Sequence, residues 1–264
     1  MRFGICLANV GTYSDPRAAM EIAAATEANG WEGIFLWDHL AFVWGPPAAD
    51  PWVVLAAVAA TTEHIRVGTA VTPVARRRPQ VLAHQVATLD VLSAGRVIFG
   101  AGLGGVASEF SKFGEAADAR IRAEQLDEGL AVLRALWSGD EVVHHGKHYT
   151  VDGVTLSPRP VQSALPIWIG GNRLASQRRA ARWDGWCADS SDPTGMTLSP
   201  GDVARGVEAI DRRENFEVAV IGYHDRVTPS EYERAGATWW IESIHDMRGG
   251  YEEMLALVEA GPPR

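Results

Sequence analysis

The chain has 264 residues, 47% of them hydrophobic and 22% charged, with a formal net charge of −9 at neutral pH. A chain of this length buries about three-quarters of its unfolded surface on folding, so it needs neither a metal ion nor a disulfide to form a core. The negative charge argues against a nucleic-acid surface, which needs a basic stripe, and no stretch approaches the roughly 18 apolar residues of a membrane span.

Short runs rich in Val, Ile, Phe and Trp alternate with alanine-rich segments of helical spacing. The runs predict eight strands, at residues 3–8, 33–37, 66–71, 97–101, 166–169, 185–188, 217–222 and 238–241. The segments that follow them predict eight helices, at residues 16–29, 51–62, 79–92, 121–137, 174–183, 200–213, 229–235 and 250–260. Several of these helices begin with proline, whose missing N–H is harmless in the first turn.

Eight alternations of strand and helix predict a single closed (β/α)8 barrel, the TIM barrel, and strands this continuously apolar suit a sheet covered on both faces. The alternative is an open doubly wound sheet. Its glycine fingerprint would follow the first strand, whereas the glycines of residues 100–105 follow the fourth. No linker interrupts the chain, so residues 1–264 are predicted to form one domain.

Residues 141–162 break the alternation of strand and helix. Polar and apolar residues alternate there around Gly146 and Gly153, and the segment closes with Pro158 and Pro160. This pattern predicts a β-hairpin inserted before the fifth barrel strand.

The most informative stretch is the strand that ends in Gly102, Gly104 and Gly105, with Glu109 just beyond. Glycines packed this densely let the backbone approach a bound group and leave N–H groups to face it. A carboxylate at that distance lies near the reacting end of the bound group, where its proton is useful. The stretch therefore predicts a small-molecule site.

A second candidate is the pair Asp38 and His39, which follows the second strand, with Trp44 in the same loop. The barrel places its site at the carboxyl ends of the strands. There the imidazole proton moves near neutral pH, the aspartate fixes the tautomer or binds a cofactor edge, and the indole can stack on a ring. The alternative interpretation is a helix cap beside a packed imidazole.

A third candidate is Gly170, Gly171 and Asn172, where free N–H groups and a helix start would favour a phosphate. The alternative is an ordinary strand-to-helix turn. The run of arginines at residues 76–78 is interpreted as a solvated loop.

The chain shows neither metal-ligand spacing nor a G-x-S-x-G nucleophile elbow, so no metal site is predicted. A redox cofactor would supply the reactivity that the side chains lack. The two cysteines, Cys6 and Cys187, lie in apolar runs and fit reduced thiols, and residues 1–8 lack the features of a signal peptide. We therefore expect a cytoplasmic protein.

Five blocks in this order resemble the bacterial luciferase-like oxidoreductases, which are single barrels with a flavin or deazaflavin at the carboxyl ends of the strands. They are FLWDHL (35–40), VGTAVTPVARRRP with the AHQVATLDVLSAGRV that follows (67–79, 83–97), GAGLGGVASEF (100–110), LDEGLAVLRALWSGDEV with HGKHYTV (126–142, 145–151), and PIWIGG (166–171). Within that family the chain is most similar to the branch that uses coenzyme F420.

The resemblance implies hydride transfer between F420 and a small organic substrate. It implies that His39 lies against the deazaflavin, that Trp44 lies beside the substrate and that Glu109 is the proton donor. It further implies that the bond between Ala70 and Val71 is a non-prolyl cis peptide behind the ring. The remaining cofactor contacts that it implies are Asp38, Gly102, Gly104, Gly105 and Val106 at the ring and side chain, and Gly170, Gly171 and Asn172 at the phosphate.

Two other functions stay open on this sequence. One is an FMN-dependent monooxygenase that works with a separate reductase. The other is a cofactor-binding barrel without turnover. A homodimer is expected, because the apolar helix at residues 51–62 is compatible with a dimer face, although a buried helix would look the same.

Overall fold

The computed structural model describes residues 1–40, 45–192, 195–211 and 214–263. Eight parallel strands form a barrel that β3 and β5 close by pairing with each other, which confirms the predicted TIM barrel. The barrel strands are β1 (Arg2–Leu7), β2 (Gly33–Leu36), β3 (Arg66–Thr69), β5 (Val97–Gly102), β8 (Ile167–Gly170), β9 (Gly185–Asp189), β12 (Glu217–Gly222) and β13 (Trp239–Ile244).

Helices connect these strands around the outside of the barrel. They are α1 (Pro16–Ala28), α2 (Pro51–Thr61), α3 (Pro79–Leu92), α4 (Ser108–Ser111), α5 (Ala119–Leu136), α6 (Leu174–Ala180), α7 (Pro200–Ile210), α8 (Pro229–Arg234) and α9 (Tyr251–Glu259). Among the described residues, side chains cap the amino ends of α1, α2, α5 and α7, as Asp50 does when it accepts hydrogen bonds from the N–H groups of Trp52 and Val53. In the described parts of the chain, none of the helices has both the length and the apolar character to cross a lipid bilayer.

Several short elements lie outside the alternating pattern. After α5, β6 (Val142–His145) and β7 (Thr150–Val154) pair antiparallel within the segment predicted as a hairpin. The strand predicted at residues 66–71 ends at Thr69, and the chain then forms β4 (Thr72–Pro73), which pairs with β5. The remaining short elements are the 3-10 helices Gly11–Ser14 and Val74–Arg76, and the paired strands β10 (Ser191–Asp192) and β11 (Gly195–Met196).

The two ends of the barrel interior differ in their side chains. At the amino end, Phe35, Trp168 and Trp239 pack against one another with ring centroids 5.3 to 5.8 Å apart. Further along the strands the interior side chains become smaller, and they include the free thiols of Cys6 and Cys187. The bulky rings therefore close the amino end, and polar residues and glycines lie at the carboxyl end, where barrels of this class bind their ligands.

Candidate active site

The loop after β2 holds His39 in place through its backbone. Asn9, fully buried after β1, accepts a hydrogen bond from the His39 N–H at 3.1 Å and donates to the His39 carbonyl at 2.8 Å. The same amide donates to the Ala49 carbonyl at 2.7 Å. Nothing in the sequence pattern marked Asn9 as a site residue. Trp44, predicted in this loop, lies outside the described residues.

The structure brings His39 and Glu109 together. Glu109 lies on α4 and is 2% exposed. Nδ1 of His39 is 3.2 and 3.3 Å from the two oxygens of that carboxylate, and the Leu40 N–H donates to Oε1 at 2.9 Å. The carboxyl ends of β2 and β5 therefore meet at one pair of titratable side chains, with the imidazole 23% exposed and the carboxylate behind it.

Two arginines join the carboxylates of this site. Arg76 donates to Glu109 Oε2 at 2.5 Å and to Asp38 Oδ1 at 2.7 Å, and its side chain is 5% exposed. Arg77 donates to both oxygens of Asp38, at 2.8 and 3.0 Å. The prediction of a solvated arginine loop is therefore wrong for these two and holds for the exposed Arg78. A run of charges does not show which of its members face buried carboxylates.

Asp38 is enclosed by protein groups and is no helix cap. Its side chain is 1% exposed, and Oδ2 also accepts a hydrogen bond from the Thr72 hydroxyl at 2.9 Å. The Thr72 hydroxyl lies 3.1 Å from that of Thr69, whose own hydroxyl donates to the Gly100 carbonyl at 2.9 Å. This network holds the Asp38 carboxylate through both oxygens, and the cofactor contact that the resemblance implied stays a prediction.

The peptide bond between Ala70 and Val71 is cis, as the resemblance implied. Val71 projects toward β5 and β8, where a Cβ at Gly102 would lie 2.4 Å from Cγ2 of the valine and a Cβ at Gly170 would lie 2.8 Å from it. Real Cβ atoms do not approach that closely. The glycines at these positions therefore make room for Val71, which is a different reason from the close approach of a bound group that we expected.

The next two glycines differ from each other. Gly104 has φ of +82°, and a Cβ there would lie 2.8 Å from the Phe110 ring, whereas a Cβ at Gly105 would meet nothing within 4 Å. Arg122 fixes this loop by donating to the carbonyls of Leu103 and Gly104 at 3.1 and 2.6 Å. Gly105 is exposed, and a side chain there would meet no neighbour.

We expect the change Gly104→Ala to lower the free energy of unfolding by about 2 to 3 kcal/mol, because it adds left-handed strain and a contact with the Phe110 ring. Gly105→Ala is the matched control and should stay within about 0.5 kcal/mol. Urea unfolding of both variants measures the difference. Equal losses would show that Phe110 moves aside and that the backbone adapts.

The turn after β8 already uses one of the N–H groups that the sequence suggested for an anion site. The Gly171 N–H donates to the Cys187 carbonyl at 3.2 Å, so this N–H is not free, and the Trp186 indole donates to the Gly171 carbonyl at 2.8 Å. Asn172 donates through its amide to the Asp189 carbonyl at 2.6 Å. The pairing of β8 with β9 thus continues one residue past the strand end and uses one of the suggested donors, and the phosphate site at this turn stays a prediction.

The far side of the mouth is lined by residues to which sequence reasoning gave no role. The Tyr223 hydroxyl lies 2.8 Å from His245 Nε2 at the ends of β12 and β13. The His245 ring packs against Trp37 with centroids 5.5 Å apart, and Trp37 packs against His39 at 5.8 Å. A continuous row of rings thus connects the two sides of the mouth.

Burial, reinforced by Arg248 and Arg226, lowers the pKa of His245 to about 4 although Asp246 opposes the shift. The unfolded imidazole has a pKa near 6.5, so between pH 6.5 and pH 4 the unfolded chain binds a proton that the folded chain does not. The free energy of unfolding therefore decreases as the pH is lowered through this range. We expect the wild type to lose about 1 to 2 kcal/mol more between pH 7 and pH 5 than His245→Gln does. Urea titrations at the two pH values measure this, and parallel losses would contradict it.

The chain is similar in sequence to proteins named F420-dependent glucose-6-phosphate dehydrogenase. The relative from Microbacterium testaceum is 36% identical over 173 residues, which are 63% of this chain and 50% of the relative. The relative from Nakamurella multipartita is 33% identical over 208 residues, which are 75% of this chain and 60% of the relative. The chain thus spans about half to three-fifths of the length of these curated relatives.

The fold is similar to that of an F420-dependent secondary alcohol dehydrogenase solved with an F420–acetone adduct. The TM-score is 0.80 at 17% sequence identity, and the match covers 98% of this chain and 97% of the other. At that identity the similarity concerns the fold. The family model described as luciferase-like monooxygenase matches residues 1–241. Because this family model matches most of the chain and the chain folds as a barrel, the chain belongs to the luciferase-like monooxygenase family.

Proposed function

We propose that the protein is an F420-dependent oxidoreductase that transfers a hydride between the deazaflavin and a small organic substrate. The observation that carries the proposal is the contact of His39 with Glu109 at the carboxyl ends of two barrel strands. The names of the sequence relatives support the choice of cofactor.

The residues around the site fit a flat ring. Val71 gives one wall of the barrel an apolar surface, and Gly105 is exposed and has no neighbouring atom where a side chain would begin. We propose that Ala70 and Val71 back the ring, and that Gly105 and Val106 line it. Gly102 and Gly104 would shape this wall through the room they give to Val71 and Phe110, and Gly170 to Asn172 would hold the neighbouring turn near the phosphate.

F420, when bound, accepts or donates the hydride, and the protein has to manage the proton. When an alcohol is oxidised to a ketone, the carbon loses a hydride and the hydroxyl loses a proton. We propose that His39 takes that proton at Nε2, the ring nitrogen turned away from Glu109. Because Glu109 is almost completely buried and bonded to Arg76, we assign it to holding and orienting the imidazole. Direct proton donation by Glu109 is the alternative.

The test is to titrate the protein with F420 and with FMN and to measure both dissociation constants. We expect F420 to bind at least tenfold more tightly than FMN. Tight FMN binding without F420 binding would overturn the proposal in favour of a monooxygenase supplied by a separate reductase. F420 binding with no turnover across a screen of alcohols and ketones would indicate a carrier.

We further propose that the protein is a homodimer joined through α2 and α3, which lie side by side. Their outer faces expose Val53 at 66%, Val81 at 50% and Val91 at 45%. We expect Val53→Lys to convert a dimer to a monomer, because it places a charge in an apolar interface. Sedimentation velocity measures this, with Val143→Lys on β6 as the matched control. A wild type that sediments as a monomer would contradict the proposal.

A further inference from the structure

We propose that Asp189 selects the substrate, and that the site takes a small alcohol or ketone bearing a hydrogen-bond donor, an ammonium group above all. A phosphate or carboxylate on the substrate would be disfavoured. This inference rests on the proposed function for the reaction, although the binding preference can be measured without it.

The position of Asp189 places its carboxylate in the mouth of the barrel. Alternate residues of a strand face the same side, so Asp189 shares the inward face of β9 with Cys187, which lies in the barrel interior. Cys187 is buried, whereas Asp189 is exposed at the strand end. The Asn172 amide holds this strand end by donating to the Asp189 carbonyl at 2.6 Å.

The carboxylate of Asp189 has capacity for another hydrogen bond. Oδ1 accepts from the Ser191 N–H at 3.0 Å and from the Ser191 hydroxyl at 2.7 Å. Within the part of the chain that the structure describes, no protein donor reaches Oδ2. Burial against the surrounding wall raises the pKa of this carboxyl, although Ser191 and His39 act in the opposite direction. Oδ2 is therefore available to a donor on a ligand, which would form a charge-assisted bond with this carboxylate.

The charges on this wall favour a cation over an anion. Arg248 is bonded to Glu242 at 2.6 Å and to Asp225 at 2.9 Å, and its side chain is 5% exposed. Arg226 lies over the Tyr223 ring at 5.0 Å from the centroid, on the exposed rim. Of the two arginines, Arg226 is the one without a carboxylate partner among the described residues. An anionic substrate would therefore be repelled by Asp189 and would find only Arg226, on the rim, to attract it.

Tyr223 and His245 continue the wall beside Asp189. His245 is 3% exposed, and its Nδ1 has no hydrogen-bond partner among the described residues. A buried polar atom in that state is unusual in a folded protein. A compact polar substrate on this side would lie beside the Asp189 carboxylate and the hydrogen-bonded pair of Tyr223 and His245, opposite His39.

Three probes with one carbon skeleton separate charge from shape: 1-amino-2-propanol, 1,2-propanediol and lactate. Each carries the same secondary alcohol, beside a positive, neutral or negative group. Their dissociation constants are measured by NMR titration of ¹⁵N-labelled protein, with and without F420. We expect the wild type to bind the amine at least about tenfold more tightly than lactate. Asp189→Asn should bring the two within about twofold.

The matched control is Asp152→Asn, which makes the same change of charge at an exposed position on β7. It should keep the preference of the wild type. The proposal is overturned if lactate binds the wild type as tightly as the amine does, if the amine does not bind, or if Asp189→Asn keeps the preference. Failure to bind F420 would overturn the proposed function, while the titrations without F420 would still decide the role of Asp189.

Discussion

Replacing Arg76 with methionine should lower the free energy of unfolding by about 3 to 5 kcal/mol, because two buried carboxylates, Asp38 and Glu109, each lose an ion-pair partner. Arg76 bonds both Asp38 and Glu109, and all three side chains are at most 5% exposed. Methionine fills similar volume without the charge, so the loss reports the electrostatic network. Urea unfolding monitored by tryptophan fluorescence gives the value.

Arg78→Met is the matched control, since it makes the same substitution two residues along, at an exposed position. It should stay within about 0.5 kcal/mol. A second variant, Arg76→Met combined with Glu109→Gln, should recover part of the loss, because one of the two carboxylates that lose Arg76 is then neutral. If Arg76→Met is no less stable than Arg78→Met, the network contributes nothing to stability.

Replacing His39 with glutamine should lower kcat about 10²- to 10⁴-fold, which is the range that a positioned acid or base contributes. The F420 dissociation constant should change little, because the proposed role concerns the proton of the substrate. Stopped-flow measurement of F420 absorbance gives the rate of hydride transfer, and an equilibrium titration gives the cofactor affinity. An unchanged rate would show that His39 takes no part in the proton transfer.

Glu109→Gln separates the two roles that we have weighed for this carboxylate. If Glu109 orients His39, this variant keeps a pH-dependent rate that still reflects the imidazole, at a lower maximum and with a shifted midpoint. If Glu109 is itself the proton donor, the fall in kcat equals that of His39→Gln or exceeds it. The pH profile distinguishes a positioning role from direct proton transfer, and tight F420 binding in both variants excludes a collapsed site.

The barrel was accessible from the sequence because its signals are local. Apolar runs and proline at helix starts gave the alternation of strands and helices, and the strand predicted at residues 217–222 is observed as Glu217–Gly222. The last strand was predicted to end at residue 241 but continues to Ile244, through the fully buried Glu242. Hydropathy predicts that the strand ends before Glu242, because a carboxylate is rarely buried. The partners that allow its burial are Arg248 and His224, which lie in other segments.

The site was accessible only in part. Strand ends converge in a barrel, so the meeting of His39 with Glu109 followed from their positions in the sequence. The roles of Asn9, Arg76 and Arg122 did not, because each depends on a contact with a distant segment that no spacing records. The cis bond before Val71 was predicted only from the family resemblance, and no residue pattern in the chain requires it.

Val71 occupies the volume that a side chain would need at positions 102 and 170. These three positions therefore form one steric unit, although they lie on different segments of the chain. Among proteins that share this barrel, we expect them to covary: a smaller residue at position 71 permits alanine at the other two, and a bulky one excludes it. An alignment column read alone would suggest a demand for glycine, whereas the constraint originates in the valine.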